Sequence, residues 1–182
     1  LYNGRISQWL EASGNGKLST IMKDIVTNRY PVDQRAGLMS AVYNMEPSFA
    51  YKDVKGNLCE DVHSIALSLL SYQSDYAILL TNPNDTLFLY LEAHTTCNIE
   101  RLRSYFSKTD KKGSQTAVLK TIYEIDPDIP LLARYPSSNL KEIVLTFGRE
   151  QLTEDDWHSL TDGRLLASLD RKSGSAGMPR PI

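Results

Sequence analysis

Two stretches decide how this chain folds: Leu38–Pro47, LMSAVYNMEP, and Val118–Pro127, VLKTIYEIDP. Set against each other at an offset of 80, Tyr43 meets Tyr123, Glu46 meets Asp126 and Pro47 meets Pro127. The apolar residues at 38, 39, 42 and 45 return at 118, 119, 122 and 125. In the first stretch Leu38, Ala41, Val42 and Met45 fall at i, i+3, i+4 and i+7, which is one face of a helix. A proline closes each stretch, because the residue before it is pushed out of helical geometry.

Outward from this pair, further segments fall into the same order. Asn57-Leu58-Cys59-Glu60 resembles Asn139-Leu140-Lys141-Glu142 at an offset of 82, and Leu18, Ile21 and Ile25 return as Ile99, Leu102 and Phe106 at 81. The opening LYNGRISQWLE resembles LTDGRLLASLD at 160–170, with Gly4-Arg5 matching Gly163-Arg164 and Leu10 matching Leu169. A worn copy, LTNPNDTLFLYLE, runs from Leu80 to Glu92. The expected fold is therefore all-α, built from tandem helical units of about 80 residues: 1–79, 80–159, and the start of a third unit or a capping helix at 160–170. Residues 171–182, rich in Gly, Ser and Pro, read as a flexible tail or linker. Helical repeats stack so that each covers its neighbour's apolar face, and the pattern fits a segment of a longer array. A chain that opens on Leu1, with no basic segment leading an apolar run, is likewise expected to belong to a longer protein.

Local signals fill in the helices. Ile6, Trp9 and Leu10 share a face, with Trp9 expected to pack on the second helix. Ser13-Gly14-Asn15-Gly16 breaks that helix. Pro31 suits the first turn of the third helix. Asn57 with Glu60 resembles a cap for the stripe Val62, Ile65, Ala66, Leu69 and Leu70, and Asn139 with Glu142 repeats it. Residues 76–91 carry two apolar runs around Asn82-Pro83-Asn84-Asp85, a hairpin signal. The repeat favours helix there, and a short helix over the β-branched run 143–147. Residues 107–115, with Lys108, Lys111 and Lys112 around Asp110, read as an exposed loop. Thr153 with Asp155 and Asp156 reads as a helix start, and 163–170 as the last helix.

Composition narrows function. The 182 residues are 41% apolar and 23% charged, which is globular composition and long enough for a sizeable core. Lys plus Arg number 20 against 22 Asp plus Glu, a net charge of -2, so bulk nucleic-acid binding is not expected. No apolar run is long enough to span a bilayer. Two cysteines, Cys59 and Cys97, permit one bridge, and fit equally well as two thiols in a reducing cytoplasm.

Cys59, His63, His94 and Cys97 form the one set with metal-ligand chemistry. Their spacing matches no common zinc motif, and the second unit lacks counterparts of Cys59 and His63. Cys59 as a buried small residue and His63 as a rim residue account for them better. A Cys59–His63 nucleophile pair would need the base within reach and a third group to orient it. Gly14-Asn15-Gly16-Lys17 lacks the full phosphate-loop pattern and reads as a helix–helix turn. Glu46 and Asp126 read as helix-end residues rather than paired catalytic carboxylates. Glu154-Asp155-Asp156 lacks calcium-loop spacing. Ten tyrosines, Tyr43 and Tyr123 in core positions and Tyr30, Tyr51, Tyr72 and Tyr135 near loops, suit packing and partner contact. Arg5 and Arg164, each after a glycine, suit a helix cap or a partner contact.

The function expected is a non-catalytic protein–protein interaction or scaffolding module, cytoplasmic, with a protein partner and no cofactor, metal or catalytic residue assigned. The alternatives are a small hydrolase or effector domain using Cys59 and His63, and a regulatory domain controlling an adjacent catalytic domain.

Overall fold

Short polar side chains that satisfy the first backbone N–H groups start most of the helices. The computed structural model describes residues 1–107, 111–131, 140–147 and 153–175. Over these residues the fold is all-α apart from one two-stranded hairpin. Helices α1 (Arg5–Ala12), α2 (Gly16–Asp24) and α3 (Gln34–Met45) come first, with a π-helical turn, Ile25–Arg29, extending α2. Strands β1 (Tyr51–Lys52) and β2 (Leu58–Cys59) follow. The rest is α4 (Val62–Ser71), α5 (Gln73–Leu79), α6 (Thr86–His94), α7 (Ile99–Phe106), α8 (Lys111–Ile125), α9 (Leu140–Phe147), α10 (Glu154–Thr161) and α11 (Arg164–Ser175).

Asp33 caps α3 by accepting from the Ala36 N–H, and Asp85 caps α6 by accepting from the Leu87 N–H. Asp61 with Ser64, and Thr153 with Asp156, form reciprocal capping boxes at α4 and α10. The expected cap at Asn57 and Glu60 is thus displaced: Asn57 belongs to the hairpin turn, and Asp61 starts the helix. The turn needs Gly56 at φ 85°, a conformation that costs glycine little. The two apolar runs of 76–91 are helical, as the end of α5 and the start of α6, with a turn at 80–85 between them, and 143–147 lies in α9. Three local expectations are corrected. Pro31 precedes α3 instead of lying in its first turn, because Asp33 supplies the cap. The expected loop 107–115 is already helical from Lys111. The last helix runs to Ser175, past the expected end at 170. Lys108, Asp110, Tyr135 and Asn139 lie outside the described residues.

Packing divides the chain into two compact units, each discontinuous in sequence: Leu1–Tyr51 with Asn82–Ile99, and Lys52–Thr81 with the chain from Glu100 onward. These packing units are interleaved along the chain, unlike the sequence units 1–79 and 80–159.

In the first packing unit α1 pairs with α2, and α3 packs on α2, its π-helical extension and α6. Ser19 Oγ donates to the Ser7 carbonyl at 2.9 Å, so this small pair is both buried and satisfied. Met22 and Ile25 fill the core beside them, and Tyr43 meets Tyr90 edge-on at 5.3 Å between ring centroids. Tyr2 donates to the carbonyls of Tyr30 at 2.6 Å and Asp33 at 3.2 Å, its hydroxyl lying against Gly37. Trp9 does not pack as expected: it is 62% exposed, and Leu10 is the apolar residue that α1 buries, beside Ser7.

In the second packing unit α8 is the hub, contacted by α4, α5 and α11, and α10 packs on α11. Ile65, Ala66 and Leu69 of α4 are buried, as their spacing indicated. Asp53 ties the hairpin down. Its carboxylate accepts from the N–H groups of Lys55 and Asn57, both at 2.8 Å, from Asn57 Nδ2 at 3.0 Å and from Ser68 Oγ at 3.3 Å. Burial alone would raise this carboxyl's pKa; the hydrogen bonds outweigh it and hold it below the usual carboxylate range.

Candidate functional site

The residues with catalytic chemistry are held in structural roles. Cys59 is buried on β2. Burial, then the charges of Asp53 and Asp61, push its thiol above the ordinary cysteine value, against a hydrogen bond with Ser64. A nucleophilic cysteine needs the opposite shift. His63, in the first turn of α4, sets Nδ1 2.6 Å from Asp126 Oδ2, just past the end of α8. His94 turns both ring nitrogens to backbone carbonyls, Nδ1 at 2.9 Å from Tyr90 O and Nε2 at 3.1 Å from Pro47 O, and stacks on the Tyr90 ring at 4.1 Å. A ring held this way must give up a hydrogen bond before it can ligate a metal. Among the described residues no group of three or more His, Cys, Asp or Glu is placed to hold a metal ion. Both cysteines are thiols.

The remaining sequence candidates are also placed. Ser13-Gly14-Asn15 is the turn between α1 and α2, with Gly14 at φ 81°, and Gly16-Lys17 opens α2. Glu46 ends α3 and accepts from the Ser48 N–H, and Asp126 follows α8 and accepts from the Asp128 N–H at 3.0 Å. Glu154-Asp155-Asp156 forms the acidic first turn of α10. Arg164 closes on Asp162 at 2.6 Å, which is a local helix-start contact. Nothing local in the sequence pairs His63, read as a rim residue, with Asp126, read as a helix-end residue; the packing of α4 on α8 brings them together.

What the described surface does offer is apolar side chains without cover. On α3, Leu38 is 54% and Met45 43% exposed, although their spacing placed both in the core stripe. The residues α3 buries are one step round the helix: Ala36, Gly37, Ser40, Ala41 and Tyr43. On α9 and α10, Val144 is 56% and Trp157 57% exposed, with Leu145 exposed beside Val144.

The fold and this surface define an all-α helical domain, and among its described residues no helix is long and apolar enough to cross a membrane. Comparison with family models, with curated proteins and with solved structures finds no match.

Proposed function

We propose that the chain is a non-catalytic protein–protein interaction or scaffolding module, built from two related helical units of about 80 residues and the first helix of a third. The observation that carries the interaction role is the exposure of large apolar side chains on helices of the second packing unit, Val144 and Leu145 on α9 and Trp157 on α10. The unit reading is supported by helix order. The starts of α1, α6 and α11, of α2 and α7, of α3 and α8, of α4 and α9, and of α5 and α10 recur at about 80 residues. It is supported also by small contacts. Asn3 accepts from the Arg5 N–H at 3.2 Å and Asp162 from the Arg164 N–H at 3.0 Å, each beside a glycine with positive φ. Glu46 and Asp126 each accept from the N–H two residues on. The third helix packs on the first helix of the next unit twice, as α3 on α6 and as α8 on α11. A cytoplasmic setting suits the two thiols.

The test is capture of protein from native lysate by wild type and by Trp157→Ser, each hit then being remade from purified components. A saturable direct partner bound by wild type and lost by W157S upholds the module. Direct binding that ignores W157S, or no direct binding at all, overturns it.

One observation favours the second reading, a hydrolase or effector domain: an imidazole whose Nδ1 is held by a carboxylate is oriented as a general base is. Cys59 would then have to be a reactive thiolate. Its raised pKa predicts the reverse, and alkylation with iodoacetamide at neutral pH is expected to be slower than for an unhindered thiol. Fast, pH-independent labelling of Cys59 would favour the enzyme.

A further inference from the structure

Helix α3 buries one side within the first packing unit, through Ala36, Gly37, Ser40, Ala41 and Tyr43. On its other side Arg35, Leu38, Val42 and Met45 follow one another at steps of three and four residues, which makes a single stripe along the helix. Leu38 and Met45 are exposed, and Val42 is half-buried. The stripe has a counterpart on α8, Val118, Ile122 and Ile125, and there all three are buried, on a helix packed by α4, α5 and α11. The same pattern thus serves as a helix contact elsewhere in this chain.

The two ends of the α3 stripe differ in charge. Arg35 stands at its N-terminal end and Glu46 just past its C-terminal end, and both are exposed. Asp33 and Asp85 attract Arg35 without forming an ion pair with it. Glu46 is steadied by Ser48, whose N–H and hydroxyl both donate to Oε1. These bonds hold the carboxyl below its usual pKa range, so it stays ionised, and Oε2 takes no part in them. An apolar stripe with a cation at one end and an anion at the other is complementary to itself when turned end for end. Laid parallel, it sets like charge against like.

We infer that two copies of this chain pair through α3, antiparallel about a two-fold axis, with Leu38 of each copy opposite Val42 of the other. The steps from 35 to 38, 42 and 45 are those of an a/d seam, and antiparallel seams set a against d. In this register Arg35 lies opposite Met45 and one residue from Glu46, and the two-fold axis makes that charged pair twice. The contact is isologous, so assembly stops at the dimer. One helix face from each copy buries less than the roughly 1,200 Å² of a stable complex, so the dimer is weak and forms at high concentration. It uses neither α9 nor α10 and stands apart from the partner binding proposed above.

Sedimentation equilibrium of the full 182-residue chain from micromolar to millimolar concentration tests it. The mean mass is expected to rise toward twice that of the chain and no further. Leu38→Glu places a carboxylate in the seam twice and is expected to weaken association roughly tenfold or more. Arg35→Glu sets like charges together at both ends of the contact, as does Glu46→Arg, and each alone is expected to weaken it severalfold. Mixed, R35E and E46R bring opposite charges together at both ends again. They are expected to form a one-to-one heterodimer more readily than either variant pairs with itself. In a parallel pair the single variants would exchange one like-charged contact for another and change little. Circular dichroism like that of wild type shows that each variant is folded. L38E and R35E leave the Ser48 bonds in place, so these two decide the outcome if E46R misfolds. Monomers at every concentration, a mass that passes the dimer, association that ignores L38E or R35E, or a folded mixture that pairs no better than its components overturns the inference. A monomer that binds a different protein through Trp157 overturns the dimer and leaves the interaction module standing.

Discussion

Tyr123 shows how one atom can be out of step with its surroundings. It is among the largest fully buried side chains, yet its hydroxyl has no hydrogen-bond partner among the described residues. Burial pushes its pKa up to about 12 from 10.0. The unfolded chain therefore ionises this group first, and the folded state loses stability as pH rises from about 10 to about 12, on the order of 2 kcal/mol from this residue. Tyr123→Phe keeps the shape and removes the orphaned hydroxyl. It is expected to equal or exceed wild type by up to about 1 kcal/mol at neutral pH, and to lose less stability above pH 10, as read by urea denaturation at several pH values. Gly37 illustrates the opposite constraint. A Cβ built there would lie 2.0 Å from the Tyr2 hydroxyl, so the helix-propensity gain of Gly37→Ala is set against Tyr2's two hydrogen bonds. Loss of those bonds is expected as a changed Tyr2 environment by NMR.

At the scale of elements, caps and turns are placed by a few polar side chains. Thr153→Ala removes one half of the α10 capping box and is expected to cost about 1 kcal/mol, measured by denaturant midpoint at constant slope. Asp53 acts on a longer range, since it closes the hairpin turn and reaches Ser68 on α4. Its carboxyl is held below the usual range, so its stabilising contribution is full above an unfolded value near 3.8 and is lost as pH falls through the folded value. Asp53→Asn is expected to flatten the acid limb of the stability curve and to speed hydrogen exchange at the Asn57 amide; unchanged exchange there would assign the turn to Gly56 alone. Helix positions were largely legible because apolar spacing and capping residues are local. The hairpin was not, because Tyr51–Cys59 is too short to show strand alternation and its Asn57 imitates a cap.

For the whole molecule, the interleaving of the two packing units decides what can be removed. The first unit is completed by Asn82–Ile99, with α6 against α3, and the second includes Lys52–Thr81, with α4 and α5 against α8. A chain cut after Thr81 is therefore expected to lose more helical circular dichroism than the missing residues account for; a loss in proportion would show that the first sequence unit, 1–79, folds alone.

The sequence by itself determined the helical class, most helix positions, the Thr153 cap and the similarity of α3 to α8, because each depends on residues close together along the chain. Only the tertiary structure decided what those helices bury. Leu38 and Val118 hold the same place in two similar stretches, and one is 54% exposed while the other is buried. The difference is that α4 and α5 pack on α8, whereas among the described residues of the first packing unit α3 is packed by α2, its π-helical extension and α6, which leave Leu38 exposed. Spacing defines which face of a helix is apolar, whereas burial is a property of what packs against it. For the same reason the pairing of His63 with Asp126, 63 residues apart, lay beyond any local pattern.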